Sequence, residues 1–298
     1  MKVGVIGCVE FSEAMLRTLF DVPDVEIVGV VTKARSAFNS DFRDLGPLAR
    51  SHGAPVFHQG VGDQQDMIDW FRERKPDVIF CVGWPNLLDE GLLAIPRHGV
   101  VGYHPTDLPR NRGRHPIIWA LALGLEETAS TFFRIDGGVD SGPILSKVKV
   151  PIGPDDDAGL LYARLIEVGR AQLPEIVRRL ATGRQTLTEQ DPAQGNVWRK
   201  RSKVDGRIDW RMSAAAIHNL VRALNRPYPG AWCETGSGDA RREINVWKVR
   251  PAPCDQINLE PGRVLKVAGG VILVKAGDGA VEIIEHDFDV LPAEGDYL

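Results

Sequence analysis

Cysteine is sparse in this chain and scattered: Cys8, Cys81, Cys233 and Cys254 are its four, and no two form a Cys-x-x-Cys pair. That spacing, with mostly apolar neighbours, reads as buried thiols rather than disulfides or a zinc site, and no metal is expected. No apolar run approaches the roughly 20 residues of a membrane span. Basic residues are in slight deficit, with 36 Lys and Arg against 40 Asp and Glu, a formal charge of −4 and a pI near 6.0. Phosphate neutralisation needs a basic face, so nucleic acid is not expected as the main partner. The opening "MKVGVIGCVEF" lacks the Gly-x-Gly-x-x-Gly spacing of a dinucleotide fingerprint and reads as an ordinary strand-to-helix turn, with no NAD expected. It also runs into a strand-like pattern without the parts of a secretory leader, which makes a soluble, cytoplasmic protein the expectation. Internal repeats and low-complexity tracts are missing.

What is present is an ordinary globular composition, 43% hydrophobic and 26% charged over 298 residues, with room for two domains. Up to about Val150, short β-branched runs ("KVGVIG", "VEIVGVVT", "PDVIFCVGW", "GVVGYH", "ASTFFRI", "ILSKVKV") alternate with helical stretches such as "FSEAMLRTLF" and "DMIDWFRERK". Continuous apolar strands separated by helices imply an α/β fold, a doubly wound, mostly parallel sheet whose sites lie beyond the carboxyl ends of its strands. A long amphipathic helix follows from near Asp156, with Leu161, Leu165, Val168, Ile176, Val177 and Leu180 on one face and Gly183 as its stop. That face is expected against the sheet.

Residues 183–203 are polar and irregular, a linker between a first domain (1–182) and a second (204–298). The second opens with "MSAAAIHNLVRAL", a helix capped by Ser213, and continues as short strands with glycine turns, read as a small β-barrel of OB-like type.

Two segments carry chemistry. "VVGYHPTDLPRNRGRHPIIWAL" places His104 at the end of a strand, stiffens the turn with Pro105 and Pro109, and supplies Arg110, Arg112 and Arg114, which suit anionic groups. "RIDGGVDSG", Arg134 to Gly142, joins two strands through glycines whose backbone can approach a planar ligand, and its Asp140 can support a histidine. It lacks the alternating oxygen ligands and closing glutamate of a calcium loop. Taken singly, the histidine also fits a structural hydrogen-bonding role and the loop an acidic surface turn.

Taken together, "HPTDLPRNRGRHPIIWAL" and "ETASTFFRIDGGVDSGPIL" resemble the formyltransferase family that uses 10-formyltetrahydrofolate, shared by methionyl-tRNA, glycinamide ribonucleotide and nucleotide-sugar N-formyltransferases. "RKRSKVDGRIDW" and "IHNLVRALNRPYPGAW" extend the likeness over nearly the whole chain. The resemblance implies a Rossmann-like formyltransferase fold, His104 and Asp140 as catalytic residues, and a donor site of Trp84, Pro85, Asn86, Leu87 and Leu88 facing Asp136, Gly137, Gly138 and Val139. Gly102 stands where the family has asparagine. An asparagine amide would donate to the oxyanion, so the expectation is that an ordered water in the vacated space, or Asn111, replaces it. The alternatives are that the glycine makes room for a bulkier acceptor, or that the chain is a catalytically silent folate- or nucleotide-sugar-binding relative.

For the acceptor, the resemblance favours a nucleotide-linked amino sugar of surface polysaccharide (lipopolysaccharide) biosynthesis, with Arg112 and Arg114 holding a pyrophosphate, Tyr228 stacking on the base, and a homodimer. The segment "TKARSAFNSDFRDLGPLARSHG" has mixed charge where tRNA-directed relatives carry a more basic insertion, and the second domain has no marked basic excess. Methionyl-tRNA formylation is the alternative.

Overall fold

β-branched runs build the first sheet. β1 (Lys2–Ile6), β2 (Glu26–Thr32), β3 (Val56–His58), β4 (Val78–Cys81) and β5 (Val100–His104) lie parallel in the order β3-β2-β1-β4-β5. A two-residue strand, β6 (Arg112–Gly113), stands outside that sheet; β7 (Glu127–Arg134) joins β5 antiparallel, and β8 (Ile144–Pro151) completes the seven strands. Val3, Val5, Val30, Val31, Val78, Ile79 and Val101 are buried, as strands covered on both faces require. The computed structural model describes residues 1–36, 40–60, 62–236, 241–256 and 258–298. Positions 37–39 of the mixed-charge segment lie outside the described residues.

The crossover helices are α1 (Glu10–Asp21), α2 (Gly46–Ser51), α3 (Gln65–Arg74) and α4 (Glu90–Leu93), followed by α5 (Pro116–Ala122), α6 (Ala158–Ala181) and α7 (Ala214–Ala223). In α3, Met67, Ile68 and Phe71 share one face and pack with Ile6, Val31, Ile79, Leu92 and Val100. A Cβ on Gly29 would stand 2.5 Å from the Trp70 ring, so glycine lets this helix lie close to the sheet. Truncating the fully buried Phe71 to alanine is worth about 3–5 kcal/mol.

Two compact units result, one of Met1–Pro116, Thr128–Pro151 and Ala163–Trp198, the other of Ile117–Glu127, Ile152–Tyr162 and Arg199–Leu298. In α6, Leu161, Leu165, Ile176, Val177 and Leu180 are buried, whereas Val168 is half-buried. From Ala163 onward this helix meets two neighbours. Gly169 passes against Phe11 of α1, where a Cβ would fall 2.8 Å from the ring, and Gln172 hydrogen-bonds Ser130 on β7. Residues 183–198 of the segment read as a linker pack in the first unit: Thr188 and Ile144 exchange two backbone hydrogen bonds, and β9 (Val197–Trp198) runs parallel to β6.

In the second unit Ser213 caps α7, its Oγ accepting from Ala216 N at 3.1 Å, and Ile217, Leu220, Val221 and Leu224 are buried. β10 (Ala231–Thr235), β11 (Arg242–Ala252), β12 (Val264–Ala268), β13 (Val271–Lys275) and β14 (Ala280–His286) form an antiparallel, barrel-like sheet in the order β10-β11-β14-β13-β12. Gly269 and Gly270, at φ 58° and 84°, make the two-residue turn between β12 and β13. Among the described residues, no helix is long and apolar enough to cross a membrane.

Candidate active site

His104 is the last residue of β5, and a rigid strand therefore sets its backbone. Only 5% exposed, it directs Nε2 at the carbonyl of Asn111, 2.8 Å away. A carbonyl only accepts, so Nε2 carries the hydrogen. Nδ1 is left facing Asp140, whose Oδ2 lies 3.7 Å away. The same Oδ2 accepts the backbone N–H of Gly113 at 2.9 Å. Asn111 (φ 64°), Gly113 (φ 103°) and Asp140 (φ 49°) all occupy the left-handed region, where Asn, Asp and Gly are the tolerated residues. The His104 turn and the Asp140 loop, remote in sequence, thus converge at this edge of the sheet.

Each segment is held by its own polar contacts. Thr131 Oγ1 donates to Thr106 O, Thr128 Oγ1 to Pro105 O, and Lys147 bridges Asp107 and Leu108 O, fixing the turn after β5. In the loop, Asp136 Oδ1 accepts from Gly138 N and Ser141 Oγ. Gly142 is demanded by space, since a Cβ there would stand 1.8 Å from Arg134 O; around Gly137 there is nothing within 4 Å.

Gly102 leaves no vacant space. A Cβ on it would meet Ile135 Cγ1 at 2.8 Å and Phe133 Cε1 at 3.1 Å, so hydrocarbon from β7 and the residue after it fills the place of the family asparagine. This corrects the expectation of an ordered water there, and equally that of room for a bulkier acceptor, because a water needs polar partners and an apolar plug offers none. Asn111 stays as the candidate donor. Its carbonyl serves His104, its N–H goes to Asn196 Oδ1, and its side-chain amide has no hydrogen-bond partner among the described residues.

Trp84 to Leu88 follow β4, the parallel neighbour of β5, and so share the carboxyl edge that carries His104. Gly83 (φ 66°) makes the bend; a Cβ would lie 2.1 Å from Val9 Cγ2. Trp84 and Leu88 are half-buried against the core around Phe71, and Lys33 Nζ sits 5.0 Å over the Trp84 ring. Asn86 and Leu87 are exposed, Leu87 to 70%, and Gln64 Nε2 donates to Leu87 O.

The arginines differ in employment. Arg112 places Nε and a terminal nitrogen on Gln190 Oε1 at 3.2 and 2.8 Å, while Arg114 is exposed. Tyr228 lies in the second unit, half-buried in a turn where its N–H donates to Asn225 O. Gln190 and Asn196, both on the segment before Trp198, were not legible from sequence; polar residues in an irregular stretch give no sign of what they will touch.

All four cysteines are free, and three are buried. Burial pushes the Cys8 thiol up to about 11 and that of Cys233 to about 12, and raises Cys81 as well. Their high proton affinity makes them poor nucleophiles.

Comparison with known proteins gives the family of the chain. Residues 2–177 match the formyl transferase family model and residues 200–292 the formyl transferase C-terminal domain. A methionyl-tRNA formyltransferase of Geobacter metallireducens is 36% identical over 290 residues, 96% of this chain and 90% of that one. The N-formyltransferase of Helicobacter canadensis, solved with folinic acid and dTDP-3-aminofucose, superposes with a TM-score of 0.72 at 16% identity, over 96% of this chain and 100% of that one. WlaRD, a sugar 3N-formyl transferase solved with dTDP and 5-N-formyl-THF, gives 0.68 at 16% identity, over 98% and 99%. The chain belongs to the formyl transferase family, and its activity is formyl transfer.

Proposed function

We propose that the enzyme moves the formyl group of 10-formyltetrahydrofolate to the amino group of a nucleotide-linked amino sugar. One observation carries the choice of acceptor. Over residues 199–298, fifteen Lys and Arg face fourteen Asp and Glu. Arg199, Lys203, Arg207, Arg211, Arg226, Arg241, Arg250 and Arg263 are each paired with a carboxylate of the same unit. Cations neutralised in this way offer little to a polyphosphate backbone, whereas a single pyrophosphate asks for few contacts. The dTDP-3-aminofucose and the dTDP bound by the two superposed enzymes support the same reading.

The donor supplies an electrophilic formyl carbon; the chain's residues hold it and manage charge. Exposed Asn86 and Leu87 on one side and the open backbone of Asp136 to Val139 on the other suit a planar heterocycle. As the amine nitrogen bonds to the formyl carbon, its proton passes toward Asp140 and the lone pair on His104 Nδ1. The 3.7 Å approach of these groups then becomes an ion pair, while Nε2 stays anchored on Asn111. The bond from the formyl carbon to the folate nitrogen then breaks and the held proton passes to that departing nitrogen, releasing tetrahydrofolate and the formamide. The Asn111 amide takes the oxyanion role that Gly102 leaves open. Incubation with 10-formyltetrahydrofolate and nucleotide-linked 3- or 4-amino sugars, read by mass, tests the reading.

Methionyl-tRNA formylation is the second reading, favoured by the 36% identical relative. Formylation of methionyl-tRNA, with no sugar product from the panel, selects it.

A further inference from the structure

Gln190 is 8% exposed, and all four hydrogen-bonding positions of its amide are used. Oε1 accepts from Arg112 Nε and a terminal nitrogen at 3.2 and 2.8 Å; Nε2 donates to the carbonyls of Asp140 and Gly142 at 2.9 and 2.7 Å. One side chain therefore joins both halves of the site. Arg112 sits between Asn111, whose carbonyl holds His104, and Gly113, whose N–H holds Asp140.

The surrounding backbone works in the same direction. Thr188 pairs with Ile144 just past the Asp140 loop, and Asn196 accepts Asn111 N–H through Oδ1 and Arg112 N–H through its carbonyl. Residues 188–198 thus form a strap stitched first to one loop and then to the other. Asp140, at φ 49°, holds a backbone conformation that persists only where its surroundings enforce it.

We infer that Gln190 is a positioning residue, which holds the Asp140 loop against the 111–113 turn and so sets the approach of Asp140 to His104. The inference rests on the reading of that pair as the reacting centre. It goes beyond that reading in giving residues 188–198 a part in holding the reacting pair together.

Two variants separate positioning from packing. Gln190→Glu keeps the arginine arm but sets a carboxylate oxygen against two carbonyls; Gln190→Met keeps the volume and loses both arms. Both are expected to lower kcat about 10- to 100-fold, the range for a misplaced reacting group, on whichever amine the wild type formylates. Donor KM should rise too, since residues 138–139 of the loosened loop face the donor, but by less than kcat falls, because the larger loss is on the transition state. Amide hydrogen exchange should accelerate about tenfold or more at residues 111–113 and 138–142 and be unchanged in β1, β2 and β4. Should one variant not fold, the other carries the same readouts. Unchanged exchange in the two loops overturns the inference, as does faster exchange with an unaltered kcat. The exchange readout needs no acceptor, so an error about the sugar leaves this test standing.

Discussion

Nδ1 of His104 stands 3.7 Å from Oδ2 of Asp140, beyond hydrogen-bond distance, while Nε2 is anchored on a carbonyl 2.8 Å away. The anchored nitrogen fixes the ring plane and the free one faces the carboxylate. A proton arriving between them finds an acceptor on each side.

That arrangement makes His104 and Asp140 a unit. His104→Asn and Asp140→Asn are each expected to lower kcat by about 10²–10⁴, the usual worth of positioned acid–base catalysis, and the double variant by little more than the worse single. Circular dichroism and melting curves on the same samples check that the fold survives. Turnover retained in His104→Asn would remove the histidine from the mechanism.

Ile135 and Phe133 set the outcome at Gly102. Introducing asparagine forces side chains into filled space, so Gly102→Asn should destabilise by about 1–3 kcal/mol, as overpacked cores do, and should not raise the formylation rate. Adding Ile135→Ala relieves the nearer contact and should recover part of the loss. Denaturant melts of the single and double variants measure both.

In the donor loop, exposure decides which variant reports on binding. Leu87, 70% exposed, can be truncated within about ±0.5 kcal/mol of wild-type stability, so Leu87→Ala should raise the donor KM with the melting temperature unmoved. Trp84 packs on the core around Phe71, and Trp84→Ala should lower stability along with donor affinity. Donor titration by intrinsic fluorescence or calorimetry, beside a melt, separates the two.

The thiols give a prediction about pH. A raised pKa keeps a cysteine protonated, so at pH 8 Cys8, near 11, and Cys233, near 12, hold little thiolate. Iodoacetamide on the native protein should label the half-buried Cys254 first and reach the buried Cys8, Cys81 and Cys233 only in urea. Peptide mass mapping reads the order.

Much of the fold was written in local patterns. The six β-branched runs of the first unit became β1, β2, β4, β5, β7 and β8, and Ser213 caps the helix it was expected to cap. β3 and α2 escaped because three and six residues are too few to show a period. At the site, the resemblance of their two motifs to the family implied that His104 and Asp140 would meet, and their side chains lie 3.7 Å apart. Gly102 was legible as an absence, but its consequence was not, since Ile135 and Phe133 reach it from another strand. The strap stayed hidden for the same reason: Gln190 acquires meaning only once Asp140, Gly142 and Arg112 surround it.

The most direct test is a competition in one vessel. A limiting amount of 10-formyltetrahydrofolate is given to the enzyme with methionyl-tRNA and a dTDP-linked 3- or 4-amino sugar together, and both acceptors are read by mass. The account predicts the formyl group on the sugar nitrogen and none on the tRNA, with the product missing in His104→Asn. Formyl on the tRNA alone would contradict the assigned acceptor, and equal product from His104→Asn would contradict the assigned centre.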